Sequence, residues 1–356
     1  MRILNAMFST GLGGIEQSFA DYCLALATCG HRVSAITQHG AAVNASLPAG
    51  IHHYPISNRG QWDPLAKRRV AATLKNERPD VIIAHGNRAM SLMTPAKELG
   101  IPVVGVAHNY KLKHIPLCDA AFTVSEDLRM QIIDKHIFAP ELCFKIPNML
   151  HLDIASVPKS AYRQPIKIAT MGRFVHKKGF HIFLEALALL KQDGIAFNAS
   201  IGGEGEEKTK LTALCRSLEL DDQVNFCGWV ADKSSFFNEH DIFCLPSLHE
   251  PFGIVLLEAF AHRIPVVSSN SEGPSEIAEN LHDCIFTDKT SASSLKDGLK
   301  LLINTPELAR KLTDNACDTL QENYRSEAVA KKIEDALQDI ATKYRGQQKS
   351  VATTGN

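Results

Sequence analysis

Apolar runs of strand length alternate with stretches of helical apolar spacing along nearly the whole chain, and this alternation limits the fold more than any other feature. Residues 2–8 read as a buried strand. A loop over 9–14 follows, then a helix on which Ile15, Phe19, Tyr22, Cys23 and Leu26 share one face, with Gly30 as a stop. The series continues through a strand at 33–37, a strand at 81–84, a helix at 91–99 and a strand at 103–107, with Pro79 and Pro102 as breakers just before strands. Strands that take turns with helices pair in parallel, because each crossover returns the chain to the same end of the sheet.

The periodicity lapses over 156–165, a polar stretch bounded by Pro158 and Pro165 that reads as a linker. A second series follows. Strands are expected at 166–171, 197–201, 224–227, 242–245 and 265–268, and helices at 181–191, 208–218, 255–262, 293–303, 306–322 and 326–344. A chain of 356 residues exceeds what one core usually supports. Two α/β domains of Rossmann-like type are therefore expected, over 1–158 and 159–345, with a polar, frayed tail at 346–356.

Composition narrows the function classes. Apolar residues make up 45% and charged residues 22%, enough to fill two cores and too little charge for disorder. The net charge of -1 argues against nucleic acid as a partner. Residues 1–155 carry 15 Lys+Arg against 12 Asp+Glu, a mild basic excess compatible with an anionic acceptor or a membrane surface. Nine scattered cysteines, no two of them separated by only two residues, suggest neither a disulfide framework nor a zinc site. With no signal-like n-region and no apolar run of spanning length, a cytoplasmic protein, soluble or peripheral to the inner face of a membrane, is the expectation.

Chemistry concentrates in four places. Gly11 to Glu16, Gly-Leu-Gly-Gly-Ile-Glu, lies between a strand and a helix, where glycines let backbone approach a phosphate. A tight turn that needs glycine is the other reading. No acidic residue stands about twenty positions on, where Thr37-Gln38-His39 lies, so a nicotinamide cofactor is disfavoured. Gly172-Arg173-Phe174 and Lys177-Lys178-Gly179 bring cations to the C-terminal edge of the second sheet, where open parallel sheets bind ligands. They could neutralise a diphosphate leaving group, or they form a solvated basic turn. Glu250 lies in a loop and Glu258 on the helix after it, with Pro251-Phe252-Gly253 between them. Free N–H groups at that helix start can hold phosphate, Glu258 can accept from ribose hydroxyls, and Glu250 can reach the sugar. His108 ends a strand, and in a chain of 15 histidines a structural role is an equal reading of it taken alone.

The segment from Glu250 to Glu258 resembles the two-glutamate motif of the family-4 retaining glycosyltransferases of GT-B fold. Other segments resemble that family in the same order: Gly13-Gly14-Ile15-Glu16, His108 in Val106-Ala107-His108-Asn109, Ser125-Glu126, Gly172-Arg173-Phe174 with Lys178-Gly179, Gly202-Gly203-Glu204-Gly205, Val224 to Gly228, and Gly273 to Ile277. Ile146-Pro147-Asn148-Met149 departs from the family's Pro-Asn-Gly. The resemblance implies two Rossmann-like domains with parallel sheets facing across a cleft. It also implies transfer of a hexose from a nucleoside-diphosphate sugar, with the anomeric configuration kept, to a glycan or lipid-linked acceptor such as an envelope polysaccharide or lipopolysaccharide intermediate. His108, Arg173, Lys178 and Glu250 would be catalytic. Gly13, Gly14, Gly203, Phe252, Gly253, Ile254 and Glu258 would bind the donor, with no metal or other cofactor. A sugar-nucleotide epimerase of the same fold and a nonenzymatic binding module are the rival readings. Lys67-Arg68-Arg69 with Lys75 and Arg78, and the segment Asn109 to His114, are basic stretches expected to meet a membrane-associated acceptor, against the equal reading of a solvated helix face and loop.

Overall fold

A computed structural model describes residues 1–11, 13–151, 154, 162 and 164–354, with backbone alone over 345–354. The chain divides into two compact units, one of Met1–His151 with Tyr324–Asn356 and one of Leu152–Asn323.

Unit 1 runs through β1 (Arg2–Met7), α1 (Gly14–Thr28), β2 (Arg32–Gln38), β3 (His52–Ile56), α2 (Pro64–Glu77), β4 (Val81–His85), α3 (Gly86–Leu92), β5 (Val103–Ala107), β6 (Ala120–Thr123), α4 (Glu126–Asp134) and β7 (Cys143–Lys145). All seven strands pair in parallel in the order β3-β2-β1-β4-β5-β6-β7. Apolar clusters cover the sheet: Ile3, Ile83 and Val104 pack with α1, whereas Leu4, Ile82 and Val103 pack with α2 and α3. This is the two-sided burial that makes parallel strands read as unbroken apolar runs.

Unit 2 contains β8 (Ile166–Met171), α5 (Phe180–Gln192), β9 (Phe197–Gly202), α6 (Lys208–Ser217), β10 (Val224–Gly228), α7 (Lys233–Glu239), β11 (Ile242–Leu245), α8 (Ile254–Ala261), β12 (Val266–Ser269), α9 (Pro274–Ile277), β13 (Ile285–Thr287), α10 (Ala292–Asn304) and α11 (Pro306–Asn323). Its sheet, again all parallel, has the order β10-β9-β8-β11-β12-β13. In each unit the strand order reverses beside the first strand, between β1 and β4 and between β8 and β11. Ligands of open α/β sheets bind beyond the strand ends at such a switch point.

Three expectations change. The second domain was expected to run to residue 345, but the last helix, α12 (Ser326–Thr354), belongs to unit 1. Its Val329, Ala330, Ile333, Ala336, Leu337 and Ile340 are buried in the cluster that holds Phe19, Tyr22 and Leu26 of α1. Leu150 N–H donates to Tyr324 O at 2.9 Å and His31 meets Glu334 at 2.8 Å, which fasten the returning chain. Helical periodicity says that a face is apolar, not which core receives it. The backbone of α12 also extends to Thr354, through most of the expected tail. The boundary at 158/159 lies outside the described residues. Finally, the helix expected at 91–99 is split: α3 ends at Leu92 and a 3-10 turn occupies Thr94–Leu99 with Pro95 in its first turn, because proline cannot donate the hydrogen bond that would continue α3.

Candidate active site

Three loops meet at the C-terminal edge of the unit 2 sheet. After β8, Gly172 N–H donates to Gly202 O at 2.9 Å and Phe174 N–H to Glu204 O at 2.8 Å. Gly203 has φ +131, and a Cβ there would stand 1.9 Å from Gly172 O. Gly179, with φ +66, likewise lies where a Cβ would stand 1.9 Å from Pro246 O, in the loop after β11. Only glycine permits these approaches. The turns after β8, β9 and β11 are thus locked backbone to backbone.

This locking carries Lys178 to Glu250. The two form an ion pair, with Glu250 only 8% exposed and Ser247 Oγ 3.5 Å from the same carboxylate. Arg173 is exposed and forms no ion pair among the described residues. Past Glu250, Phe252 is buried, and Gly253 caps α8 at φ +93 without a side-chain hydrogen bond to the first turn. Ile254, the first residue of α8, is half-buried, so the opening N–H groups of that helix remain a place for an acceptor anion. Glu258, one turn in and 5% exposed, accepts from Lys233 Nζ at 2.5 Å.

Glu272 braces this edge from the loop after β12. Its Oε2 accepts from Glu250 N–H at 3.2 Å, its Oε1 lies 3.0 Å from His249 Nδ1 and 3.4 Å from Lys289 Nζ, and Gly273 N–H donates to Glu250 O at 2.8 Å. Burial works to raise the Glu272 carboxyl, but hydrogen bonds from its own N–H, from His249 and from Glu250 N–H, with the Lys289 charge, hold it below the usual carboxylate value. Sequence reasoning missed Lys233 and Glu272. Their partners lie 25 and 22 residues away, and the only signal for Glu272 was its place just before the Gly273 motif.

In unit 1 the glycine loop follows β1 and His108 follows β5, while β4, the strand between them, ends in His85, which the sequence did not single out. Gly13 caps α1 at φ -175, an extended conformation open to any residue, so the tight-turn reading of that glycine has no backbone demand behind it. Gly14 opens α1, and Leu12 lies outside the described residues. Ser125 caps α4 by accepting from Leu128 N–H at 3.4 Å. Met149, where the family has glycine, is a buried core side chain. His108 follows β5, and its Nε2 is 3.0 Å from Nδ1 of His85, the last residue of β4. The two rings stack at 5.2 Å, and the His85 ring stands nearly perpendicular to those of Phe19 and Tyr22, with centroids 5.6 and 5.0 Å away. Burial lowers His108 to about 4 and, with the neighbouring His108, lowers His85 well below the usual imidazole value. Both rings are therefore neutral at neutral pH. The glycine loop and His108 belong to unit 1, and the cations and carboxylates belong to unit 2.

Two Rossmann-like units with these strand-end loops define a two-domain transferase of GT-B fold. Residues 12–154 match the family described as Glycosyltransferase Family 4 and residues 155–319 match Glycosyl transferases group 1. The chain belongs to the family-4 glycosyltransferases and is a glycosyltransferase. It is 28% identical over 325 residues to a lipopolysaccharide core biosynthesis glycosyltransferase, LpsE, of Rhizobium meliloti, covering 89% of this chain and 93% of that protein. To LpsD of the same organism it is 26% identical, covering 96% and 98%. Among solved structures, Anabaena HepE in complex with UDP-glucose superimposes with a TM-score of 0.80 at 21% identity, covering 95% of this chain and 99% of that one.

Proposed function

We propose that this enzyme moves a hexose from a nucleoside-diphosphate sugar to a glycan or lipid-linked acceptor in cell-envelope polysaccharide or lipopolysaccharide synthesis, in the cytoplasm, with the anomeric configuration kept and no metal or other cofactor. The observation that carries this reading is the single edge of unit 2 that holds Arg173, the Lys178–Glu250 pair, the start of α8 with no side-chain cap, and Glu258. Arg173 and the α8 N–H groups suit a diphosphate. A phosphate oxygen that competes for Lys178 frees Glu250 to accept from a sugar hydroxyl, and the Glu258 oxygen not used by Lys233 suits a ribose hydroxyl. As the sugar leaves, negative charge grows on the diphosphate beside Arg173 and Lys178, which stabilise it. Same-face attack then lets that phosphate take the acceptor's proton. The lipopolysaccharide-core names of the Rhizobium relatives and the UDP-glucose complex of the Anabaena neighbour support the acceptor and donor classes.

Incubating the protein with individual nucleotide sugars and envelope lipid or glycan extracts, in EDTA, tests this reading by proton NMR of the anomeric position. We expect a product with the donor's configuration. An inverted product contradicts retention, and a donor turned only into its isomer points to epimerisation.

Membrane contact draws support from one further observation. Among the described residues no helix is long and apolar enough to cross a membrane. Trp62 and Leu65, at the start of α2, are 62% and 61% exposed, Lys67 lies 5.4 Å over the Trp62 ring, and that ring meets His114 at 5.8 Å. The two basic segments singled out in the sequence are thus neighbours around an exposed tryptophan. An aromatic and a leucine among cations suit the interface of an anionic bilayer, with about 1 kcal/mol per Lys or Arg near the surface. Co-sedimentation with anionic vesicles at low and physiological salt is expected for the wild type and not for a variant lacking the Lys67, Arg68, Arg69, Lys111 and Lys113 charges. Wild type left in the supernatant at both salts contradicts docking and leaves the transferase reading intact.

A further inference from the structure

His249 stands directly before Glu250 in unit 2 and is held from two sides. Its N–H and that of Leu248 donate to Lys177 O, at 3.2 and 2.8 Å, which seats its backbone on the basic turn before α5. Its ring is held by Glu272, whose Oε1 lies 3.0 Å from Nδ1. Lys289 Nζ, 3.4 Å from the same oxygen, and Glu250 N–H, 3.2 Å from the other, keep that carboxylate in place. Yet the His249 side chain is 62% exposed, and its Nε2 has no partner among the described residues. Although burial works to raise it, hydrogen bonds and the Lys289 charge hold the Glu272 carboxyl below its usual value, so it is ionised at neutral pH. An ionised carboxylate has no proton to give and only accepts, which makes Nδ1 the donor. In the neutral ring the remaining nitrogen, Nε2, is then a bare acceptor. Its lone pair repels a phosphate oxygen and suits a hydroxyl proton.

We propose that His249, oriented by Glu272, is a specificity-determining residue whose Nε2 accepts a hydrogen bond from a hydroxyl of the transferred sugar. The sugar as partner rests on the function proposed above, in which Glu258 takes the ribose and Glu250, the next residue, reaches the sugar; the orientation of the ring does not rest on it. Such an acceptor selects donors that carry a hydroxyl at the contacted carbon and disfavours those that lack it.

Two replacements of His249 separate its nitrogens: Asn offers Glu272 an N–H in place of Nδ1 and nothing at Nε2, whereas Gln reaches the place of Nε2 with an oxygen. Calorimetry on the full chain compares the tightest binder among UDP, GDP and ADP hexoses, its singly deoxygenated sugar analogues, and the sugar-free diphosphate. For the wild type we expect one deoxy analogue to bind about tenfold more weakly than its parent, the worth of one lost hydrogen bond. His249→Asn should bind parent and analogue alike, with diphosphate affinity close to that of the wild type, and His249→Gln should keep most of the difference. Glu272→Gln, whose oxygen still accepts from Glu250 N–H while its amide donates to Nδ1, should move the ring proton to Nε2 and abolish the difference too. Long-range proton–nitrogen NMR without ligand, in mildly alkaline buffer, reads that proton, with His249 assigned by the signals that vanish in His249→Asn. Nε2–H in the wild type overturns the proposal, as does a deoxy preference unchanged in His249→Asn. Diphosphate binding weakened as much as sugar-nucleotide binding would make the ring a structural prop. Absence of binding by every nucleotide sugar overturns the function proposed above and the sugar contact with it, and leaves the ring's orientation to be decided by the NMR.

Discussion

Glu250 and Lys178 are 72 residues apart and partly buried together, so a change in one is read through the other. Removing Lys178 strands a carboxylate that has lost its counter-charge, and such losses cost stability as well as function. Arg173, exposed and unpaired among the described residues, gives the cleaner test. Arg173→Ala should lower turnover roughly a hundredfold, the range found when one donor to a developing charge is removed, with donor affinity nearly unchanged. Near-normal turnover under saturating donor, measured beside donor affinity, would make it a solvated turn. Glu258→Ala should instead weaken donor binding about ten- to a hundredfold, as loss of a charged hydrogen bond does, and calorimetry of the nucleotide sugar reads this directly. At this scale the sequence shows both glutamates and the cationic turn, because each falls in a short motif. It hides Lys233, Glu272 and His85, which matter through partners brought close only by folding. His85 left one trace, a histidine ending a strand just as His108 does.

The elements follow the same division. Strands buried on both faces, such as Val81–His85 and Val103–Ala107, declare themselves as apolar runs. The strands β3, β6, β7 and β13 do not, since three to five residues at or near a sheet edge, as in Cys143–Lys145 and Ile285–Thr287, show no period. The last helix is the sharpest case: its apolar face is plain in the sequence, yet its partner is the first helix of the chain rather than the one before it. Leu337, fully buried there, carries the consequence. Leu337→Ala should destabilise unit 1 by about 2–5 kcal/mol, the usual cost of a large-to-small core change. Hydrogen exchange should show the loss in α1 and β1 before it appears in β8 or β11. An equal loss in both units would contradict the assignment of α12 to the first core.

At the scale of the whole molecule, two parallel sheets built on one plan divide the labour. Unit 2 gathers the charged groups at the edge where its strand order reverses, and unit 1 offers a neutral histidine pair at the corresponding edge. The doubling of the α/β series is legible from alternation alone, and the linker lapse near 156–165 marks where one series gives way to the other. The return of 324–356 to the first unit is not legible. The claim that joins both scales is that the edge of unit 2 binds a nucleoside-diphosphate sugar without metal. Thermal unfolding with a panel of UDP, GDP and ADP sugars in EDTA tests it most directly. A cognate donor at a hundred times its dissociation constant should stabilise the fold by about 2.7 kcal/mol, and Glu258→Ala should remove most of that gain. No stabilisation by any nucleotide sugar, or stabilisation only when a divalent metal is restored, would contradict the account.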